Sequence, residues 1–157
     1  MNTDNYEKNF NNNKNSKLLI SKDDEEFIAK WADTTLEFEK WTHRSHIRMA
    51  YIIINKLYPD KDNITNTIRE GIKRFNNKNI EKIVLGYHET ITIFWIDQVF
   101  DAVKKHIDET LNFEQFIEIE KQFLASKILF QYYSKEYLFK EEAKIKYFPP
   151  DLKQVSI

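Results

Sequence analysis

The sequence contains no cysteine, only two glycines and three prolines among its 157 residues. The absence of cysteine excludes disulfide bonds, thiolate metal sites and cysteine nucleophiles. The scarcity of glycine leaves little material for tight β-hairpin turns. No apolar run approaches the roughly 18 residues that a membrane-spanning helix needs. These absences favour a helical domain that is not embedded in a membrane.

Charge of one sign is also lacking, because 24 basic and 25 acidic residues nearly cancel to a net charge of −1. Such a balance gives no global attraction toward nucleic acid or an anionic membrane, and neither is expected as a partner. The first residues are polar and carry no signal-peptide core, which predicts a cytoplasmic protein. The pattern leaves the oligomeric state open.

Aromatic side chains are abundant instead, with twelve Phe, eight Tyr and three Trp. They supply enough buried area for one packed core in a chain of this length. Apolar residues recur at helical spacing, and Ser21 and Thr42 stand where N-caps are expected. The predicted fold is all-α, a single-domain bundle of five or six helices. The predicted helices cover about residues 22–32, 42–57, 62–76, 87–107, 113–124 and 128–139. An interruption near Ser134 is an alternative for the 128–139 helix, and a last turn or two is predicted at 141–147.

The two ends of the chain differ in composition from its middle. Residues 1–20 form an Asn-rich segment that is predicted to be a disordered tail, since it has too little apolar area to offset the entropy of ordering. Residues 21–152 form the predicted helical domain. Pro149 and Pro150 end the last helical pattern, and residues 153–157 are expected to be a C-terminal tail.

Three of the four histidines fall in two short clusters, His43 with His46 and then His88, each at the start of a predicted helix. Short loops make consecutive helices antiparallel neighbours, so the first and third helices of such a trio begin at the same end of the bundle. The positive end of a helix dipole disfavours the imidazolium form and keeps histidine neutral. We therefore expect His43, His46 and His88 to converge on one pocket.

Neutral imidazoles suit two kinds of chemistry. His43, His46 and His88 are candidate ligands for a divalent metal such as zinc, iron or manganese. His88 and Glu89 are candidate catalytic acid–base groups. A small-molecule substrate would then contact the residues expected around them, namely Trp41, Thr92, Trp95 and Tyr133, with Asn76 a further polar candidate.

A purely structural role for the histidines is the alternative to metal binding and to acid–base catalysis. In that interpretation the histidines cap helices or bond backbone carbonyls, and the aromatic surplus forms a partner surface of a non-catalytic protein-interaction module. His106 follows two lysines near a helix C-terminus, where a cation is favoured, and is interpreted as solvated. A concave surface around the histidines would favour a small-molecule pocket, whereas a flat, exposed aromatic patch would favour the protein-interaction module.

Several motifs together resemble a group of small uncharacterised helical proteins. That group carries W-x-H-x-x-H, G-I-x-x-F-N, Y-H-E-T, Y-Y-S and P-D-L segments. The sequence matches at residues 41–50, 71–76, 87–92, 132–134 and 150–152. The likeness spans about residues 34–152, and it implies a helical fold without implying an activity, cofactor or substrate.

Overall fold

The structure, a computed structural model, describes residues 17–153, and this part of the chain is an all-α single domain as predicted. Seven α-helices occur within it: α1 (Lys22–Ala32), α2 (His43–Leu57), α3 (Lys61–Lys78), α4 (Glu89–Lys105), α5 (Phe113–Ile119), α6 (Lys135–Leu138) and α7 (Glu141–Ile145). Four short 3₁₀ helices lie between them, at Phe38–Lys40, Ile80–Lys82, Lys121–Leu124 and Ser126–Gln131. No helix in the described range is both long and apolar enough to cross a membrane.

Helix α2 is the centre of the core. Every residue from Met49 to Asn55 is buried, so the helix is enclosed on all sides along this stretch. It packs most extensively against α4 and α3, and also contacts α1 and the Lys121–Leu124 turn. The sequence pattern predicts one apolar stripe on this helix, but the unbroken apolar run from Met49 to Ile54 is what a fully surrounded helix requires.

Side-chain caps define where the long helices begin. Ser21 and Thr42 cap α1 and α2, as the sequence predicts, by accepting bonds from the backbone N–H groups of Asp24 and Ser45. In both cases the side chain three residues on bonds back to the cap, which completes a capping box. The first turn of α2, which carries His43 and His46, is therefore fixed locally.

The region after α5 departs from prediction. In place of one helix at 128–139 the structure has the 3₁₀ helix Ser126–Gln131 and the short α6, and the break falls at Ser134, where the sequence analysis allowed an interruption. Ser134 separates them, since its hydroxyl and its backbone N–H both donate to the Asp151 carboxylate, at 2.6 and 2.8 Å. The N–H of Leu152 also donates to the carbonyl of Tyr132. The returning C-terminal segment thus interrupts the helical path.

The N-terminal boundary of the domain also lies earlier in the chain than the predicted residue 21. Within the predicted tail of residues 1–20, residues 17–20 pack on the domain: the N–H groups of Lys17 and Leu19 donate to the carbonyls of Ile107 and Leu111. Leu18 is only 2% exposed. Helical periodicity does not reveal such an extended segment, which is held by distant partners. Residues 1–16 and 154–157 lie outside the described residues.

Gly71 is predicted to be intolerant of alanine. It lies in α3 against the indole of Trp31, and a Cβ there would come within 2.1 Å of Trp31 Cη2. Alanine normally favours a helix interior over glycine by about 1 kcal/mol, whereas overpacking a core costs about 1–3 kcal/mol. We expect Gly71→Ala to lower the free energy of unfolding, measured by urea titration with circular dichroism. Gly86→Ala is the matched control, because nothing lies within 4 Å of its added methyl; equal effects would contradict the close contact.

Candidate functional site

Two adjoining cavities lie between the first turns of α2 and α4 and the second half of α3. We call the larger, of about 440 Å³, the Trp95 lobe; the residues that distinguish it include His43, Met49, Ala50, Trp95, Leu129 and Phe130. We call the smaller, of about 300 Å³, the Trp41 lobe; its distinguishing residues include Phe38, Trp41, Asn76, Tyr87, His88 and Lys144. Six residues line both lobes: His46, Ile72, Leu85, Ile91, Thr92 and Phe139.

Most of the site residues predicted from the sequence lie on these walls. Seven of them line one lobe or both: Trp41, His43, His46, Asn76, His88, Thr92 and Trp95. The helix starts bring them together because α2 and α4 are antiparallel to the intervening α3 and begin at the same end of the bundle. The walls are otherwise mostly apolar, so the few polar atoms among them determine what the cavity can recognise.

His88 is fully engaged in structural hydrogen bonds. Its Nδ1 accepts from the backbone N–H of Ile91, at 3.2 Å, and so caps α4. Its Nε2–H donates to the carbonyl of Leu138 at the end of α6, at 2.9 Å. This pattern requires a neutral ring, and burial lowers the pKa of His88 below its ordinary value. Neither nitrogen is open to a metal or a proton unless one of these bonds breaks.

His43 has one nitrogen committed. Because a carbonyl can only accept, Nε2–H of His43 donates to the carbonyl of Phe123, at 2.7 Å. This bond ties the first turn of α2 to the Lys121–Leu124 turn. The imidazole also meets Trp95 edge-on, with the ring centroids 4.9 Å apart. His43 therefore helps to fix the wall of the Trp95 lobe.

His46 is the most distinctive polar group in the site. Its Nδ1–H donates to the carbonyl of Thr42, at 2.6 Å, which fixes the tautomer. Its ring stacks on the indole of Trp41, with centroids 3.7 Å apart and planes at 28°. Burial lowers the pKa of His46 to about 4, so the ring is neutral near pH 7. Its Nε2 carries a lone pair and has no hydrogen-bond partner within residues 17–153.

The expected three-histidine metal set is not formed in the described structure. No group of three or more His, Cys, Asp or Glu side chains is placed to hold a metal ion between residues 17 and 153. The physical reason is that each imidazole gives one N–H to a different backbone carbonyl: those of Thr42, Phe123 and Leu138. These bonds aim the rings at three separate anchors and not at one point.

Glu89 and Tyr133, also predicted as site residues, line neither lobe. Glu89 is 8% exposed, forms a salt bridge with Arg69 and accepts a bond from the Tyr87 hydroxyl. Burial opposes its ionisation, but Arg69 and Tyr87 together hold the pKa of Glu89 below its ordinary value. Tyr133 is buried, and its hydroxyl donates to the carbonyl of Phe148, at 2.6 Å. Both side chains are engaged in tertiary contacts away from the cavity.

The sequence analysis missed one polar residue of interest, Lys144, and gave another, His106, the wrong environment. Lys144 lines the Trp41 lobe, yet its setting in α7 has the pattern of an ordinary solvated helix. His106 was predicted to be solvated but is 4% exposed, with its ring nitrogens bonded to Glu109, at 3.1 Å, and Glu120, at 2.9 Å. Although burial opposes protonation, these carboxylates raise the pKa of His106. Neither placement has a local sequence signal.

His46 is predicted to make folding sensitive to acid. An unfolded histidine has a pKa near 6.5, against about 4 in the folded protein, so the unfolded chain takes up the proton first as pH falls. His46 should therefore lower stability progressively from about pH 6.5 to about pH 4, by a total on the order of 3 kcal/mol. His46→Phe keeps a ring against Trp41 and cannot titrate. The stability of wild type relative to this variant, from urea unfolding at several pH values, should fall as the pH is lowered; a pH-independent difference would contradict the burial of a neutral ring.

His106 is predicted to behave in the opposite way and supplies an internal control. Because its folded pKa is raised, its contribution is present below about pH 6.5 and is lost as pH rises through the folded pKa. We expect His106→Gln to cost more stability at about pH 5.5 than at about pH 8, in the same urea assay. A larger cost at the higher pH would show that the bonds to Glu109 and Glu120 involve a neutral ring.

Comparisons with known proteins identify no relative with such a site. No family model, no curated protein and no solved structure matches the chain. The likeness to the motif-bearing group of small helical proteins therefore stays a prediction. The chemistry of the site rests on the residues that line the two lobes.

Proposed function

We propose that this protein binds a small, mostly apolar molecule in the two lobes, and that His46 Nε2 accepts a hydrogen bond from it. The observation that carries the proposal is a neutral, orientationally fixed acceptor in the wall of an apolar cavity of about 440 Å³. Binding sites for small molecules usually have volumes of about 300–1,000 Å³ and combine apolar walls with a few placed polar groups.

The acceptor is held rigidly before any ligand arrives. The bond to Thr42 fixes which nitrogen carries the proton, and the stack on Trp41 fixes the ring plane. Preorganisation of this kind reduces the entropy lost on binding. It also gives selectivity, since a ligand without a donor would bury Nε2 unpaired at a cost of about 1–3 kcal/mol.

Acceptance of a hydrogen bond is favoured over general-base catalysis. A general base works best when its pKa lies near the working pH, whereas the pKa of His46 is about 4. His88 has both nitrogens occupied, and Glu89 is paired with Arg69 outside the cavity. Recognition is thus better supported than an acid–base reaction by the groups named from the sequence.

A protein-interaction module is the second candidate, and one feature favours it. Ile80, Val84 and Leu85 in the segment before α4 are 66%, 95% and 69% exposed. These side chains are aliphatic and not the aromatic patch expected for such a module. Leu85 also lines both lobes, which makes this segment part of the cavity wall. The concave site is therefore the better-supported reading.

The binding proposal predicts discrimination between 1-octanol and its methyl ether. Octanol can donate to His46 Nε2, and the ether has the same chain without a donor. Isothermal titration should show octanol binding at least about tenfold more tightly, the equivalent of about 1.4 kcal/mol. His46→Phe, checked for folding by circular dichroism, should bind the two alike. Absence of octanol binding, or unchanged discrimination in the variant, would overturn the proposal.

A further inference from the structure

The Trp41 lobe differs from the Trp95 lobe in its charge. Among the described residues that line the two lobes, Lys144 is the only lysine or arginine, and there is no aspartate or glutamate. The histidines of the Trp41 lobe add no charge to that of Lys144, because the rings of His46 and His88 are neutral near pH 7. The cavity therefore has one cationic end and one apolar end.

Lys144 is available to a ligand. Its ammonium group forms an ion pair with Glu141, at 3.4 Å, and the Glu141 side chain is 85% exposed. A solvent-exposed pair of this kind contributes little to stability, so another anion can replace Glu141. The charge of Lys144 also acts on a residue of this lobe. Burial is the main cause of the lowered pKa of His88, and the positive charge of Lys144 lowers it further.

Asn76 is a second polar group that lines the same lobe. It lies in the last turns of α3 and lines the Trp41 lobe. Its side-chain amide makes no hydrogen bond to the described part of the chain. The amide NH₂ of Asn76 and the ammonium group of Lys144 are both donors, and two donors in one lobe are the complement of a carboxylate.

We propose that the ligand is an amphipathic carboxylate with an N–H or O–H donor between its apolar chain and its acid group. The chain would occupy the Trp95 lobe, the donor would meet His46 at the junction, and the carboxylate would lie in the Trp41 lobe against Lys144 and Asn76. N-acylated amino acids and hydroxylated fatty acids share this chemistry. This assignment rests on the proposed function, because it places the same donor at His46 Nε2.

The order of groups follows from the order of the walls. His46 and Thr92 line both lobes and so stand at their junction. Thr92 gives its hydroxyl proton to the carbonyl of His88, at 2.9 Å, and so does not compete as a donor for His46. A linear ligand that spans the junction would place its middle at His46 and its two ends in chemically different surroundings.

The test compares N-octanoylglycine with its methyl ester, which retains the chain and the N–H donor but has no charge. Isothermal titration with wild type should show the acid binding at least about tenfold more tightly. Lys144→Met should abolish this preference. Lys104→Met is the matched control, since it removes an exposed lysine of α4 that lines neither lobe, and it should keep the preference.

A second measurement on wild type does not depend on any variant. Raising the salt concentration from about 0.05 to about 0.5 M should weaken binding of the acid and leave the ester unchanged, because salt screens the charge on a partly exposed lysine. Equal affinity for acid and ester, or a preference that survives Lys144→Met, would overturn the carboxylate assignment. Binding of the ester would still uphold the proposed function, and failure of both ligands to bind would overturn both proposals.

Discussion

Enclosure of α2 on all sides is the constraint on which the rest of the structure depends. Its residues from Met49 to Asn55 are buried without a break, so other elements must cover every side of it. Buried polar atoms along it must also find partners. The Tyr51 hydroxyl donates to the carbonyls of Leu19 and Leu111, which holds the N-terminal segment and the loop after α4 against the helix. The N-terminal half of α2 lines the Trp95 lobe, from His43 in the first turn to Met49 and Ala50.

Backbone carbonyls decide what each histidine in that cavity can do. His43, His46 and His88 are the same residue type at similar helix positions, yet each donates to a carbonyl in a different place. His88 uses both nitrogens and becomes a structural link, whereas His46 lines both lobes and retains an unbonded lone pair on Nε2 of a fixed ring. Close spacing in the sequence therefore does not imply a shared metal, because ring orientation depends on tertiary partners.

The C-terminal segment completes the site by packing on α4. The Thr90 hydroxyl donates to the carbonyls of Ala143 and Lys146, and it accepts a bond from the N–H of Phe148. These bonds hold α7 against the start of α4, which brings Lys144 to the wall of the Trp41 lobe. The apolar walls come from the central helices, and the cationic end comes from the last one.

The sequence by itself determined the all-α class, the capped starts of α1 and α2 at Ser21 and Thr42, and the gathering of three histidines at one end of the bundle. These features follow from caps and from apolar spacing, which act over three or four residues. Tertiary structure alone decided the burial of His106, the position of Lys144 and the bonds from Ser134 to Asp151. Each of these depends on a partner far along the chain, as does the bond from His43 to Phe123 across 80 residues. Local periodicity carries no information about such a pairing.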